Sequence, residues 1–142
     1  MIINTMSEGI TLEKKLETDS AAFYEAMAKQ YPESAETWQT FAKENKKNIQ
    51  QIERAYFGVI TDAIEGCFAL NLETDKYIID TALPAGLNYK AALKKAAAME
   101  TLIIQYLTDS AAQSKELMAD VPRNFMIIAR KRQARLEKIQ GM

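Results

Sequence analysis

Two related stretches decide how this chain reads: Phe41-Ala42-Lys43-Glu44-Asn45-Lys46-Lys47-Asn48-Ile49 and Ile128-Ala129-Arg130-Lys131-Arg132-Gln133-Ala134-Arg135-Leu136. In each, apolar residues recur three and four apart, the spacing of one helix face. On that same face each carries a polar pair, Asn45 with Asn48 and Arg132 with Arg135. Extended in both directions, the first stripe runs Trp38, Phe41, Asn45, Asn48, Ile52, Tyr56, Val59. The second runs Val121, Phe125, Ile128, Arg132, Arg135, Ile139. Amide and guanidinium groups therefore stand where a plain helical core would place Leu.

Two further helices complete the pattern. One carries the stripe Glu17, Ser20, Tyr24, Met27, Tyr31, beside a competing stripe of Leu12, Leu16, Phe23 and Met27. The other carries Leu93, Ala96, Glu100, Ile103, Leu107, Ser110. The run from Glu17 to Phe23-Tyr24 resembles the run from Glu100 to Tyr106-Leu107, and Phe41-Ala42 with Ile49 and Ile52 parallels Ile128-Ala129 with Leu136 and Ile139. The chain reads as two helical hairpins of related design.

Gly and Pro place the breaks. A first helix is expected over about 11–31, with Thr11 as its cap and Pro32 as its stop. A second runs from 34 or 35 past 56, reaching as far as 63, with Gly66 as its latest end. A link follows, with room for a short helix at about 74–81, and Leu83-Pro84-Ala85-Gly86 breaks the chain. A third helix spans about 88–117, capped by Asn88, and a fourth about 120–139, with Pro122 in its first turn. No stretch shows the strict alternation of a half-buried strand. Residues 1–9 are expected as a flexible segment of a single domain covering 1–142. The expected fold is all-α: a four-helix bundle with a long crossover between its second and third helices.

The 142 residues suffice for one core, and 48% hydrophobic with 26% charged residues is a globular balance. A net charge of −1 offers no field for nucleic acid or an anionic membrane, and no apolar run approaches the ~20 residues of a membrane span. Residues 1–9 lack the features of a signal peptide, so the cytoplasm is the expected location. The basic fourth helix, with Arg123, Arg130, Lys131 and Lys138, reads as a solvated face. The seven Met residues, Met27, Met99 and Met126 among them, read as core filler. With no His, imidazole catalysis and ligation are excluded. The single Cys67 excludes an internal disulfide and reads as a buried small side chain.

Six polar residues at seam positions ask for a joint explanation. Two carboxylates (Glu17, Glu100), two guanidinium groups (Arg132, Arg135) and two amides (Asn45, Asn48) have a formal charge of zero. Buried charges need partners, and the planar fork of Arg matches a carboxylate. The expectation is a self-satisfying layer in the helical core. Rotating the second helix by one position would bring Glu44 inward, but would turn Asn48 and Ile52 out of register.

These residues resemble the ferritin-like di-metal proteins of rubrerythrin type. That family takes one Glu from each of two helices and a Glu-x-x-His from each of the other two. Glu17 and Glu100 match the single Glu positions, each a few residues before an aromatic pair or its equivalent. Asn45 and Asn48 stand at the first Glu-x-x-His, Arg132 and Arg135 at the second. The resemblance covers about 10–139. It implies the family fold with four of six ligand positions replaced, so that no metal, no cofactor and no catalytic residue is expected. The two Arg then read as the charge replacement for lost metals, since an orphaned buried charge costs about 3–5 kcal/mol. The implied role is a metal-free structural or binding module, expected as a homodimer. The alternative implied by the same resemblance is a divergent di-iron carboxylate oxidoreductase or iron-binding protein, with di-iron as its cofactor.

Overall fold

The computed structural model describes residues 1–58, 68–114 and 120–142. These residues are mostly helical. Strand β1 (Ile2–Thr5) leads into helix α1 (Met6–Gln30). A 3-10 turn at Pro32–Ser34 joins it to α2 (Ala35–Phe57). Strand β2 (Phe68–Glu73) is followed by a 3-10 turn at Thr74–Tyr77, then by α3 (Tyr89–Ser114) and α4 (Asp120–Gln140). Among the described residues the four helices pack pairwise: α1 with α2, α3 with α4, α2 with α4, and α1 with α3. Trp38, Tyr24, Met27, Ile52, Ile103, Leu107, Phe125 and Ile128 are fully buried between them.

Residues 1–9 depart from the expected flexible segment. Thr5, not Thr11, caps α1. Its hydroxyl accepts from the Glu8 amide at 3.2 Å, while the Glu8 carboxylate accepts from the Thr5 amide at 3.1 Å, a reciprocal capping box. Thr11 lies inside the helix and donates to the Ser7 carbonyl. The helix therefore begins one and a half turns earlier than the Gly/Pro punctuation implies, because Thr5-x-x-Glu8 satisfies amides that would otherwise be orphaned.

The sequence reading anticipated no strand, yet β1 and β2 pair antiparallel, with Ile2 opposite Glu73 and Ile3 opposite Leu72. Leu70 and Leu72 point inward and Asn71 outward, a period of two too short to stand out in the sequence. Two strands alone are marginal. Here the outer edge of β2 is covered by the Gln113 side chain of α3, which accepts from the Asn71 amide at 2.7 Å and donates to its carbonyl at 3.3 Å.

The other boundaries agree closely with the punctuation. The Asn88 carboxamide accepts from the Ala91 amide at 2.8 Å as the cap of α3. Gly86 adopts a positive φ of 78°, the left-handed backbone that only glycine takes without strain. The short helix expected at 74–81 is the single turn Thr74–Tyr77. The extension of α2 to 63, the last residues of α3 to 117, Val59, Gly66 and Cys67 lie outside the described residues. No helix among the described residues is long and apolar enough to cross a membrane.

Candidate functional site: a buried Glu/Arg/Asn layer

Each helix delivers its polar residues to one level of the core. Glu17, Asn45, Glu100 and Arg132 are 0% exposed, Asn48 1% and Arg135 3%. Exposure this low in all six shows that they form part of the interior and do not snorkel to its edge. The inward registration of the stripes follows the expected period, with Asn48 and Ile52 both inside. On α1 most of the competing stripe is buried too, with Leu16, Phe23 and Met27 inside and Leu12 partly buried, so this helix is covered over a broad arc.

Arg132 occupies the centre. Its Nη1 donates to both Glu100 oxygens, at 2.7 and 2.8 Å. Its Nε donates to Glu17 Oε2 at 3.1 Å, and its Nη2 donates to the same oxygen. Nη2 also reaches the Ser20 hydroxyl at 3.2 Å. One planar guanidinium thus bridges carboxylates from two helices, using all its donor nitrogens. Burial alone would lower its proton affinity, but the Glu100 and Glu17 charges outweigh that and hold the guanidinium firmly charged.

Arg135 is the second cation. It donates to Asn45 Oδ1 at 2.7 Å and to Glu100 Oε1 at 3.2 Å. Its guanidinium carbon lies 4.7 Å from the Phe41 ring centroid and 5.4 Å from that of Tyr24, within cation–π range. Glu44 does not enter the layer. It stays at the partly exposed edge, 3.4 Å from Arg135 Nη2.

The amides fill the remaining places. Asn45 donates to the Glu17 carbonyl at 3.0 Å and to the Ser20 hydroxyl at 2.8 Å, while Asn48 donates to Glu17 Oε1 at 2.8 Å. Tyr24 donates its hydroxyl to Glu100 Oε1. Burial pushes the Glu100 carboxyl up, but Arg132, Arg135 and this hydroxyl outweigh it and hold the group below its ordinary range. Burial and the Glu100 charge push the Tyr24 phenol well up, so it serves as a donor. The Tyr24 ring stacks on Trp38 at 5.7 Å, which fixes its direction.

The layer holds the six residues expected from the sequence and three more, Tyr24, Ser20 and Glu13. Tyr24 and Ser20 were on the α1 stripe without an assigned partner. Glu13, 0% exposed, was not among the residues read as inward. Its signal was present: it lies one turn before Glu17 on the same face.

Outside the layer the charged residues of α4 are exposed. On α4, Arg123 pairs with Asp120 and Lys131 donates to Gln51 Oε1 at 3.0 Å. A cleft of about 460 Å³, lined by Tyr31, Ser34 and Tyr89 among others, opens at the α1–α2 turn and not onto the layer. Among the described residues no group of three or more acidic or thiol side chains is arranged to hold a metal ion. Compared with known protein families, curated proteins and solved structures, the chain matches none.

Proposed function

We propose that the chain is a ferritin-like, rubrerythrin-type bundle in which a fixed Glu/Arg/Asn network stands in place of a di-metal centre, and that it works as a metal-free structural or binding module. The observation that carries this reading is the Arg132 guanidinium lying between Glu17 and Glu100. Those are the positions that match the family's single Glu ligands. The donor set does not fit two divalent ions: Glu17 and Glu100 are engaged by Arg132, Arg cannot ligate, the amides are neutral, and Glu13 alone adds one carboxyl group. An ion placed between them would have to displace a permanent cation of the same sign.

Helix directions support the fold part of the reading. Asn48 meets Glu17 and Asn45 meets Ser20, which sets α2 antiparallel to α1. The Tyr106 hydroxyl donates to the Gly9 carbonyl at 2.6 Å, and that of Tyr31 to the Leu87 carbonyl, which sets α3 antiparallel to α1 as well. Helices α2 and α3 then run the same way, and the link between them has to traverse their length, as in the one-crossover bundles.

The test is metal content. Protein purified without chelator, and then offered Fe(II) anaerobically, is expected to retain no stoichiometric metal. Binding of one or two ions per chain, lost on Glu17→Gln or Glu100→Gln, would overturn the proposal and restore the di-iron alternative.

A further inference from the structure

The network leaves a buried carboxyl group unexplained. Glu13 is fully buried, and among the described residues neither of its carboxyl oxygens meets a hydrogen-bond donor. The charged and titratable groups around it are Glu17 on its own helix, Arg132 from α4, and Glu100 and Tyr106 from α3. On α2, the buried titratable side chain in the half beyond Asn48 is Tyr56. Strand β2 contributes apolar Leu70 and Leu72 to the same core. Three carboxyl groups therefore share the interior with two guanidinium groups. Fully ionised, this layer would hold one uncompensated negative charge away from water, which folded proteins avoid. A proton on Glu13 removes that charge. It also supplies a donor toward the Glu17 carboxylate, which two ionised carboxylates would lack.

We propose that the layer is balanced by one proton resident on Glu13 at neutral pH, and that this proton makes the α1–α3 seam a pH-sensitive device. The inference rests on the geometry of the layer and holds whether or not the ferritin-like reading does. Burial first, and the Glu17 charge second, push the Glu13 carboxyl well above the usual carboxylate range against the pull of Arg132. In the unfolded chain the same group ionises near pH ~4.3. Above that value the folded state holds a proton that the unfolded state has released, so stability falls as pH rises, until Glu13 ionises in the folded state too. Alkaline conditions favour any state in which Glu13 reaches water. The seam that shields it is held by the Tyr106–Gly9 hydrogen bond, and opening of α1 between Gly9 and Glu17 is the corresponding motion.

Two measurements on the full chain test this. The first needs no variant. Unfolding the wild-type protein at about pH 7 is expected to release about one proton per chain, measured by calorimetry in buffers of different ionisation enthalpy. Release of none overturns the proposal. The second compares urea midpoints of the wild type and Glu13→Gln, a neutral near-isostere of the protonated acid, between about pH 5 and pH 9. The wild-type midpoint is expected to fall with pH and that of the variant to fall less, so that the variant gains relative to the wild type as pH rises. Parallel pH profiles overturn it.

Discussion

Replacing Arg132 with Met keeps most of the side chain's volume and removes the charge that joins two helices. The consequences for its two partners differ. Glu100 would retain Arg135 at 3.2 Å and the Tyr24 hydroxyl. Glu17 would retain only neutral donors: the Asn48 amide, at 2.8 Å, and the proton on Glu13. The loss therefore falls on Glu17, a buried carboxylate left with neutral donors. Removing one partner of a buried pair costs about 3–5 kcal/mol, a large share of the ~5–15 kcal/mol that holds a domain together. With a urea slope of about 2 kcal/mol per M, the unfolding midpoint at neutral pH should fall by about 2 M. Adding Glu17→Gln to Arg132→Met should recover part of the loss, because the amide carries no charge to strand. A double-mutant cycle then isolates the coupling. A fall of less than ~0.5 kcal/mol for Arg132→Met, the range of ordinary surface changes, would refute the buried bridge. Additive effects of the two changes would refute the assignment of Glu17 as its partner.

The pH dependence of Glu100 runs opposite to that of Glu13. Its carboxyl is held below the ordinary range, so its contribution is present above pH ~4.3 and is lost as pH falls through the folded value. Glu100→Gln should thus destabilise by about 3 kcal/mol at neutral pH and by progressively less in acid, read from urea midpoints at a series of pH values. A Cβ at Gly9 would lie 2.6 Å from Leu70 Cδ1 and 3.4 Å from the Tyr106 hydroxyl. Gly9→Ala gains about 1 kcal/mol of helix propensity, but overpacking costs about 1–3 kcal/mol, so a net loss of about 1 kcal/mol is expected in thermal unfolding. A raised Tm would mean that Leu70 yields without cost.

Much of the architecture was legible because helix periodicity is local. The stripes through Trp38–Ile52 and Phe125–Ile139 are set by side chains three and four apart, and Pro32, Gly86 and Pro122 sit where the helices are broken or begun. The start of α1 was misplaced because two readings of Thr competed. Thr11 preceded the apolar stripe, whereas Thr5 had the Glu three residues on that completes a capping box. The strands were missed for a different reason. Among the described residues Ile2–Thr5 and Phe68–Glu73 form a ladder only with each other, and neither is long enough to declare its period.

The site divides along the same line. Which residue types face inward is a property of each helix, and the neutral set Glu17, Glu100, Arg132, Arg135, Asn45 and Asn48 follows from four separate periodicities. Which of them touch is a property of how the helices meet. Arg132 takes both carboxylates, Arg135 takes Asn45 and one oxygen of Glu100, and Tyr24 turns its hydroxyl to Glu100 from a ring fixed against Trp38. Glu13 shows the distinction most clearly. Its place on the α1 face was readable one turn before Glu17, but its lack of a donor among the described residues arises from the packing of α1 against its neighbours. A periodicity assigns a side chain to the interior; only the neighbours there determine whether its charge is met, and so whether the group keeps a proton.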